Sequence, residues 1–154
     1  MSPYSKPELT YLQSERRLGR LATVGPDGTP HVTPVSTWTV DPDSGVIEIA
    51  GYWNFTATKK FRDAARTGRA AIVIDDVQEP WRPRVVEIRG RAEAVDGPAP
   101  VIRIYPERII SWGLDDDDPG ARYAHDAARD RCARLPLHPS ALVSGLAEPE
   151  SPAT

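Results

Sequence analysis

Apolar and polar positions along this chain alternate in short runs, and the period lengthens in two places. Ser5, Lys6, Pro7 and Glu8 form a capping box with proline in the first turn, which predicts a short helix ending near Arg17. Residues 18–24 are apolar and β-tolerant, Gly25-Pro26-Asp27-Gly28 is a turn, and residues 30–40 resume with valine and threonine in quantity, predicting a hairpin. In its second strand Val32, Pro34, Ser36, Trp38 and Val40 share one face, and His31, Thr33, Val35, Thr37 and Thr39 share the other. Trp38 makes the first set the expected core face. Residues 41–45 turn again, and Val46 to Ala50 is a third strand.

From Thr56 the spacing changes. Ala57, Phe61, Ala64 and Ala65 line one face of a helix of about three turns that Gly68 ends. Residues 69–75 read as a strand. Residues 84–95 read as a long one, in which Glu87, Arg89, Arg91 and Glu93 alternate with Val86, Ile88, Gly90, Ala92 and Ala94. Gly90 in mid-strand predicts a bulge or bend of the kind that closes small barrels. Residues 101–105 and 108–112 make a final strand pair, or one strand interrupted at Pro106. The sum is mainly β: six or seven antiparallel strands with barrel closure, an N-terminal helix and one inserted helix. This domain is expected to span 1–115. Residues 116–154 form a C-terminal extension, helical over Ala121 to Leu135 and then too poor in large apolar residues to pack alone.

Composition narrows the function classes. With 19 Lys+Arg against 22 Asp+Glu the formal charge is -3, so a general nucleic-acid binder is not indicated and any anion site must be local. No apolar run approaches the roughly 20 residues that cross a bilayer. The single cysteine, Cys132, cannot form an internal disulfide, and no basic stretch followed by an apolar one opens the chain, so a cytoplasmic protein is expected. His31, His125 and His138 lie near no second ligand at metal spacing, and the run Asp115 to Asp118 lacks the spaced ligands of a calcium loop, so no metal site is expected.

The candidate chemistry sits at the inserted helix. Lys59 and Lys60 fall in its first turn, where the helix dipole disfavours cations by about 0.3 to 1 kcal/mol each. A bound anion would reverse that preference, since free first-turn amides, the hydroxyls of Thr56 and Thr58 and two ammonium groups make a phosphate site. Arg62 and Arg66 extend the positive strip. The competing reading is a solvated basic face balanced by Asp63. Trp81, beside Arg82 and Arg84, is suited either to stacking on a planar cofactor or to closing the core.

Four segments carry a family resemblance: LGRLATVGPDGTPHVTPV (18–35), ATKKFRD (57–63), PWRPRVVEIRGRA (80–92) and IYPERIISWGL (104–114). In this order they resemble the pyridoxamine-phosphate-oxidase-like, FMN-binding split barrel superfamily, and within it the PPOX-class coenzyme F420-dependent oxidoreductases. The resemblance implies a split-barrel homodimer with cofactor sites at the subunit interface. It places the cofactor phosphate on Thr58, Lys59 and Lys60, with Arg62 beside them, and the ring along Thr33, Pro34, Val35 and Ser36. Further contacts are implied at Ile74, and at Trp81 or Arg84 from a partner subunit. The C-terminal segment of full pyridoxamine-phosphate oxidases has no counterpart beyond Arg134-Leu135-Pro136, so vitamin B6 oxidation is not expected.

The function expected is hydride transfer from reduced coenzyme F420 to an electron-poor small-molecule acceptor. FMN chemistry on the same fold and a cofactor carrier without turnover are the alternatives. The strip through Arg62 and Arg66 suits a phosphate followed by an acidic tail. No side chain is assigned as catalyst; Tyr52, Ser36 and His31 are the candidates to supply a proton.

Overall fold

The computed structural model describes residues 1–128 and the strand Ala133–Leu135. The first helix, α1 (Lys6–Ser14), starts as its capping box predicts: Ser5 Oγ accepts from the Glu8 amide at 3.4 Å and Glu8 Oε2 accepts from the Ser5 amide at 2.9 Å. It ends three residues before Arg17, because the Arg17 guanidinium folds back and donates to the Tyr11 carbonyl at 2.7 Å, capping the helix it was expected to extend.

Seven antiparallel strands follow: β1 (Gly19–Val24), β2 (Pro30–Val35), β3 (Trp38–Val40), β4 (Ile47–Ala50), β5 (Arg69–Gln78), β6 (Arg82–Val95) and β7 (Val101–Trp112). Their spatial order is β2-β1-β5-β6-β7-β4-β3. Helix α2 (Lys59–Thr67) enters between β4 and β5, after a 3-10 turn at Phe55–Ala57, and Gly68 ends it at φ 64°. The core lies on the concave side, where Leu21, Ile47, Ile49, Ile72, Ile74, Ile88, Ile102 and Ile104 are fully buried. Phe61 of α2 meets Phe55 edge to face at 5.4 Å and closes one end.

The expected core face of residues 30–40 holds for only half of that segment. Val35 is buried at 6% exposure while Val32 is 63% exposed, so in β2 the inward face is His31, Thr33 and Val35. The chain then bends at Ser36 and Thr37, and Trp38 and Val40 pack inward on β3. Val35 and Trp38 are three positions apart, an odd step, so the bend reverses the alternation and splits the expected single strand.

β7 is one continuous strand, and Gly90 is where its pairing with β6 shifts: Arg89 faces Arg108 but Gly90 faces Pro106. A β-carbon on Gly90 would lie 1.9 Å from the Tyr105 carbonyl oxygen, so only glycine accepts the close approach. Opposite β6, the other edge of β7 is shared, with Val101–Ile104 pairing β4 and Arg108–Trp112 pairing β8 (Arg122–Asp126). A helix over Ala121 to Leu135 is therefore corrected: residues 122–126 are a strand, paired in turn with β9 (Ala133–Leu135). The unpaired amides and carbonyls of the second half of β7 outweigh a weak helical preference. Cys132, His138 and the tail 136–154 lie outside the described residues.

Candidate cofactor site

Thr58 is the N-cap of α2, one residue before Lys59. Its Oγ accepts from the Phe61 amide at 3.4 Å and donates to the Phe55 carbonyl at 2.6 Å. The hydroxyl proton is thus spent on the turn, and the amides of Lys59 and Lys60 remain as first-turn donors facing out of the helix.

The basic strip divides. Lys59 Nζ lies 3.0 Å from Asp63 Oδ2, Arg66 Nη1 lies 3.0 Å from Asp63 Oδ1, and Thr23 donates to Asp63 at 3.1 Å. Asp63 is 2% exposed. Burial works to raise its carboxyl, but hydrogen bonds from Lys59, Arg66 and Thr23 hold it below the usual carboxylate range. Arg66 also donates to the Val24 carbonyl, which ties α2 to the end of β1. Gly25 gives the ammonium room, since a β-carbon there would come within 2.9 Å of Lys59 Nζ. The charges of the helix are therefore unequally balanced. Lys59 and Arg66 are balanced by Asp63, while Lys60, its ammonium 5.5 Å from the Phe55 ring centroid, and the exposed Arg62 face no carboxylate among the described residues.

Of the expected ring contacts, Pro34 and Ser36 are exposed and Thr33 half-buried, whereas Val35 and Ile74 belong to the core with 6% and 0% exposure. Ser36 also lines a cleft of about 440 Å³ whose walls include Leu12, Ser14, Arg16, Trp38 and Val40. Trp81 stands 76% exposed in the turn between β5 and β6. Arg84 is not free: its Nε donates to Asp76 Oδ1 at 2.8 Å, and Arg17 Nε reaches Asp76 Oδ2 at 2.8 Å. Burial works against ionisation of Asp76, yet the two guanidinium groups bring its carboxyl down to about 2.

Of the three expected proton donors, His31 is separated from the other two. His31, near the start of β2, pairs with Thr23 of β1 beside α2. Ser36, past the other end of β2, has its Oγ 3.4 Å from the Tyr52 hydroxyl. Among the described residues no cluster of histidine, cysteine or carboxylate side chains could hold a metal.

Some of this was legible. Asp63 stands four residues after Lys59 and three before Arg66, the spacings at which helical neighbours meet. Asp76 faces Arg84 in the β5–β6 register, which the sequence gives once the turn at residues 79–81 is placed. Nothing local announces the approach of Ser36 and Tyr52.

Comparison with known proteins sets this geometry in context. The family model described as pyridoxamine 5'-phosphate oxidase matches residues 5–131. The chain belongs to that family. It is 38% identical over 135 residues to the 5a,11a-dehydrotetracycline/5a,11a-dehydrooxytetracycline reductase of Streptomyces rimosus, covering 80% of this chain and 93% of that one. Among solved structures, the family fold matches a conserved hypothetical protein of Mycobacterium tuberculosis with a TM-score of 0.58 and 23% identity, over 71% of this chain and 84% of that one. It also matches a heme binding protein of Mycobacterium smegmatis with a TM-score of 0.61 and 16% identity, over 82% of this chain and 60% of that one. These two likenesses establish the fold, and that fold alone does not select a ligand.

Proposed function

We propose that the protein is a homodimeric reductase that uses coenzyme F420 to reduce an electron-poor organic acceptor. The observation that carries this reading is the start of α2, where two first-turn amides open beside Lys60 and Arg62, cations with no carboxylate opposite them among the described residues. A phosphate is what amides at a helix N-terminus and unbalanced cations accommodate, so the donor set fits the group. The 38% identity to a reductase supports the reaction type. When bound, the deazaflavin supplies the hydride.

The chain's own residues bind and orient. Lys60, Arg62 and the two amides hold the phosphate, Lys59 adds positive potential while staying tethered to Asp63, and Thr33, Pro34 and Ser36 border the ring. The cleft beside Ser36 receives the acceptor.

The dimer face adjoins the site at Pro34. On the convex side, Val32, Ala22 and Ala71 stand side by side across β2, β1 and β5, with Pro34 and Val73 flanking the aliphatic stem of Arg20 in the adjacent row. Val32, Pro34 and Arg20 are exposed and Ala22, Ala71 and Val73 half-buried, an apolar patch crossed by one arginine that is paired with Asp75, suited to a second copy of the chain. Trp81, projecting from its hairpin, stands where a partner can be reached.

Fluorescence titration with coenzyme F420 and with FMN tests the reading. Binding of the deazaflavin at micromolar concentration, weakened at least tenfold in Lys60→Ala with Arg62→Ala, is the expected result. Tighter binding of FMN would replace the cofactor and keep the site; binding of neither would end the proposal.

A further inference from the structure

The Ser36 and Tyr52 hydroxyls meet because of how the β3–β4 hairpin is closed at its open end. The Ala50 amide donates to the Thr37 carbonyl at 3.0 Å, and the Thr37 hydroxyl donates back to the Ala50 carbonyl. These bonds fix residue 37 against residue 50, so the next residue outward on each strand end leads to Ser36 on one side and to Tyr52 on the other. Gly51 sharpens the exit: a β-carbon there would fall 2.0 Å from the Phe55 ring, so the chain packs its backbone on that buried phenyl and turns outward. Asn54 completes the turn in the left-handed region at φ 56°. Tyr52 is consequently 78% exposed, its hydroxyl 3.4 Å from that of Ser36, and Ser36 lines the cleft of about 440 Å³.

We propose that Tyr52, positioned by Ser36, is the proton donor that completes reduction of a conjugated carbonyl acceptor, an enone or quinone, lodged in this cleft. The inference rests on the hydride-transfer reading above. Either hydroxyl can donate across this contact; in this proposal Ser36 donates to the phenolic oxygen, which leaves the phenolic proton to point at the acceptor. A phenol is a much stronger acid than an aliphatic alcohol, so of the two hydroxyls it is the one that gives up the proton. The acceptor's β-carbon gains a C–H bond from the reduced deazaflavin's hydride, the C=C electron pair moves toward the carbonyl, and the Tyr52 O–H bond breaks as its proton passes to the resulting enolate. The acceptor has then gained two hydrogens, the deazaflavin is oxidised by two electrons, and the phenolate recovers a proton from water. His31 takes no part, because it stands five residues back along β2, about 16 Å away at strand spacing.

Two readouts test this. The first is the affinity of the protein, with oxidised deazaflavin bound, for 4-nitrophenolate, whose anionic oxygen imitates the enolate and whose absorbance reports binding. Tyr52→Phe is expected to weaken it at least tenfold, Ser36→Ala about threefold, and Ser36→Thr to restore it. The second is turnover with a panel of enones and quinones, where Tyr52→Phe is expected to lower kcat about 100-fold with KM and the deazaflavin Kd within twofold. Unchanged 4-nitrophenolate affinity and kcat in Tyr52→Phe would overturn the proposal, as would a tenfold loss of deazaflavin binding in that variant, which would make Tyr52 part of the cofactor seat. Failure of the wild-type protein to bind deazaflavin would instead remove the cofactor reading and this one with it.

Discussion

At the scale of single residues, the carboxylates decide which cations are available. Asp63 holds Lys59 and Arg66, Asp76 holds Arg17 and Arg84, and Lys60 and Arg62 face no carboxylate among the described residues. Removing Asp63 should therefore alter the site without touching the cofactor directly. Asp63→Asn removes the carboxylate that Lys59 and Arg66 share, so deazaflavin affinity is expected to rise by threefold or more, and a Kd equal to wild type would show that Lys59 contributes no potential. Asp76 has a clear pH signature. Its folded carboxyl is depressed to about 2, so the stability it provides is complete above its unfolded value near ~4 and is lost as pH falls toward 2. Asp76→Asn should cost about 2 kcal/mol at pH 7 and little at pH 2, readable by urea unfolding at both. The pair Asp76 and Arg84 shows what residue types alone leave out. Arginine beside tryptophan suggests a cofactor contact, and the hairpin register adds a carboxylate opposite it.

At the scale of elements, caps and edges set the boundaries. The serine cap of α1 was evident from its spacing, but Glu8 does more than close a capping box. Its carboxylate also accepts from Ser111 Oγ at 2.7 Å and lies 3.0 Å from His125 Nε2, both buried. Burial works to raise the Glu8 carboxyl, and the hydrogen bonds from His125, Ser111 and Ser5 together hold it low. The charge thus fastens α1 to β7 and β8. Its contribution is present above the ordinary glutamate range and lost as pH falls through the depressed folded value. Glu8→Gln is expected to destabilise the fold by about 3 kcal/mol, seen as a lower urea midpoint with unchanged slope. In α2 the equivalent device is Thr58, and Thr58→Ala should cost about 1 kcal/mol while leaving the Lys59 and Lys60 amides in place.

At the scale of the whole molecule, one strand organises the barrel. β7 pairs with β6 along its length and divides its other edge between β4 and β8, and the shift at Gly90 allows the change of direction. Gly90→Ala drives a β-carbon into the Tyr105 carbonyl and is expected to lower stability by at least about 2 kcal/mol, measured as a fall in Tm. The apolar convex face predicts the assembly. Val32→Arg touches no core residue, so it should leave the fold intact and shift the protein from dimer to monomer in light scattering at micromolar concentration; a dimer that persists would place the interface elsewhere.

The sequence by itself determined the things that depend on near neighbours. The capping box, the turn glycines, the helix inserted after the third strand segment, the charged and apolar sides of β6 and the bulge at Gly90 all follow from spacings of a few residues, where sterics and periodicity act directly. The order of the family segments fixed the fold class for the same reason. Only the tertiary structure decided the rest. The bend at Ser36 and Thr37 reversed which side of β2 faces the core, a one-residue change of phase that alternation cannot locate. Pairing demand along β7 turned residues 122–126 into a strand against their local preference. Thr23 on Asp63 and Arg17 on Asp76 added partners from distant segments to pairs that local spacing already suggested, and the hairpin closure at Thr37 and Ala50 brought Ser36 to Tyr52 across sixteen positions. In each case the deciding interaction joins parts of the chain through hydrogen bonds or charge whose partners are set by packing, and packing is a property of the folded whole.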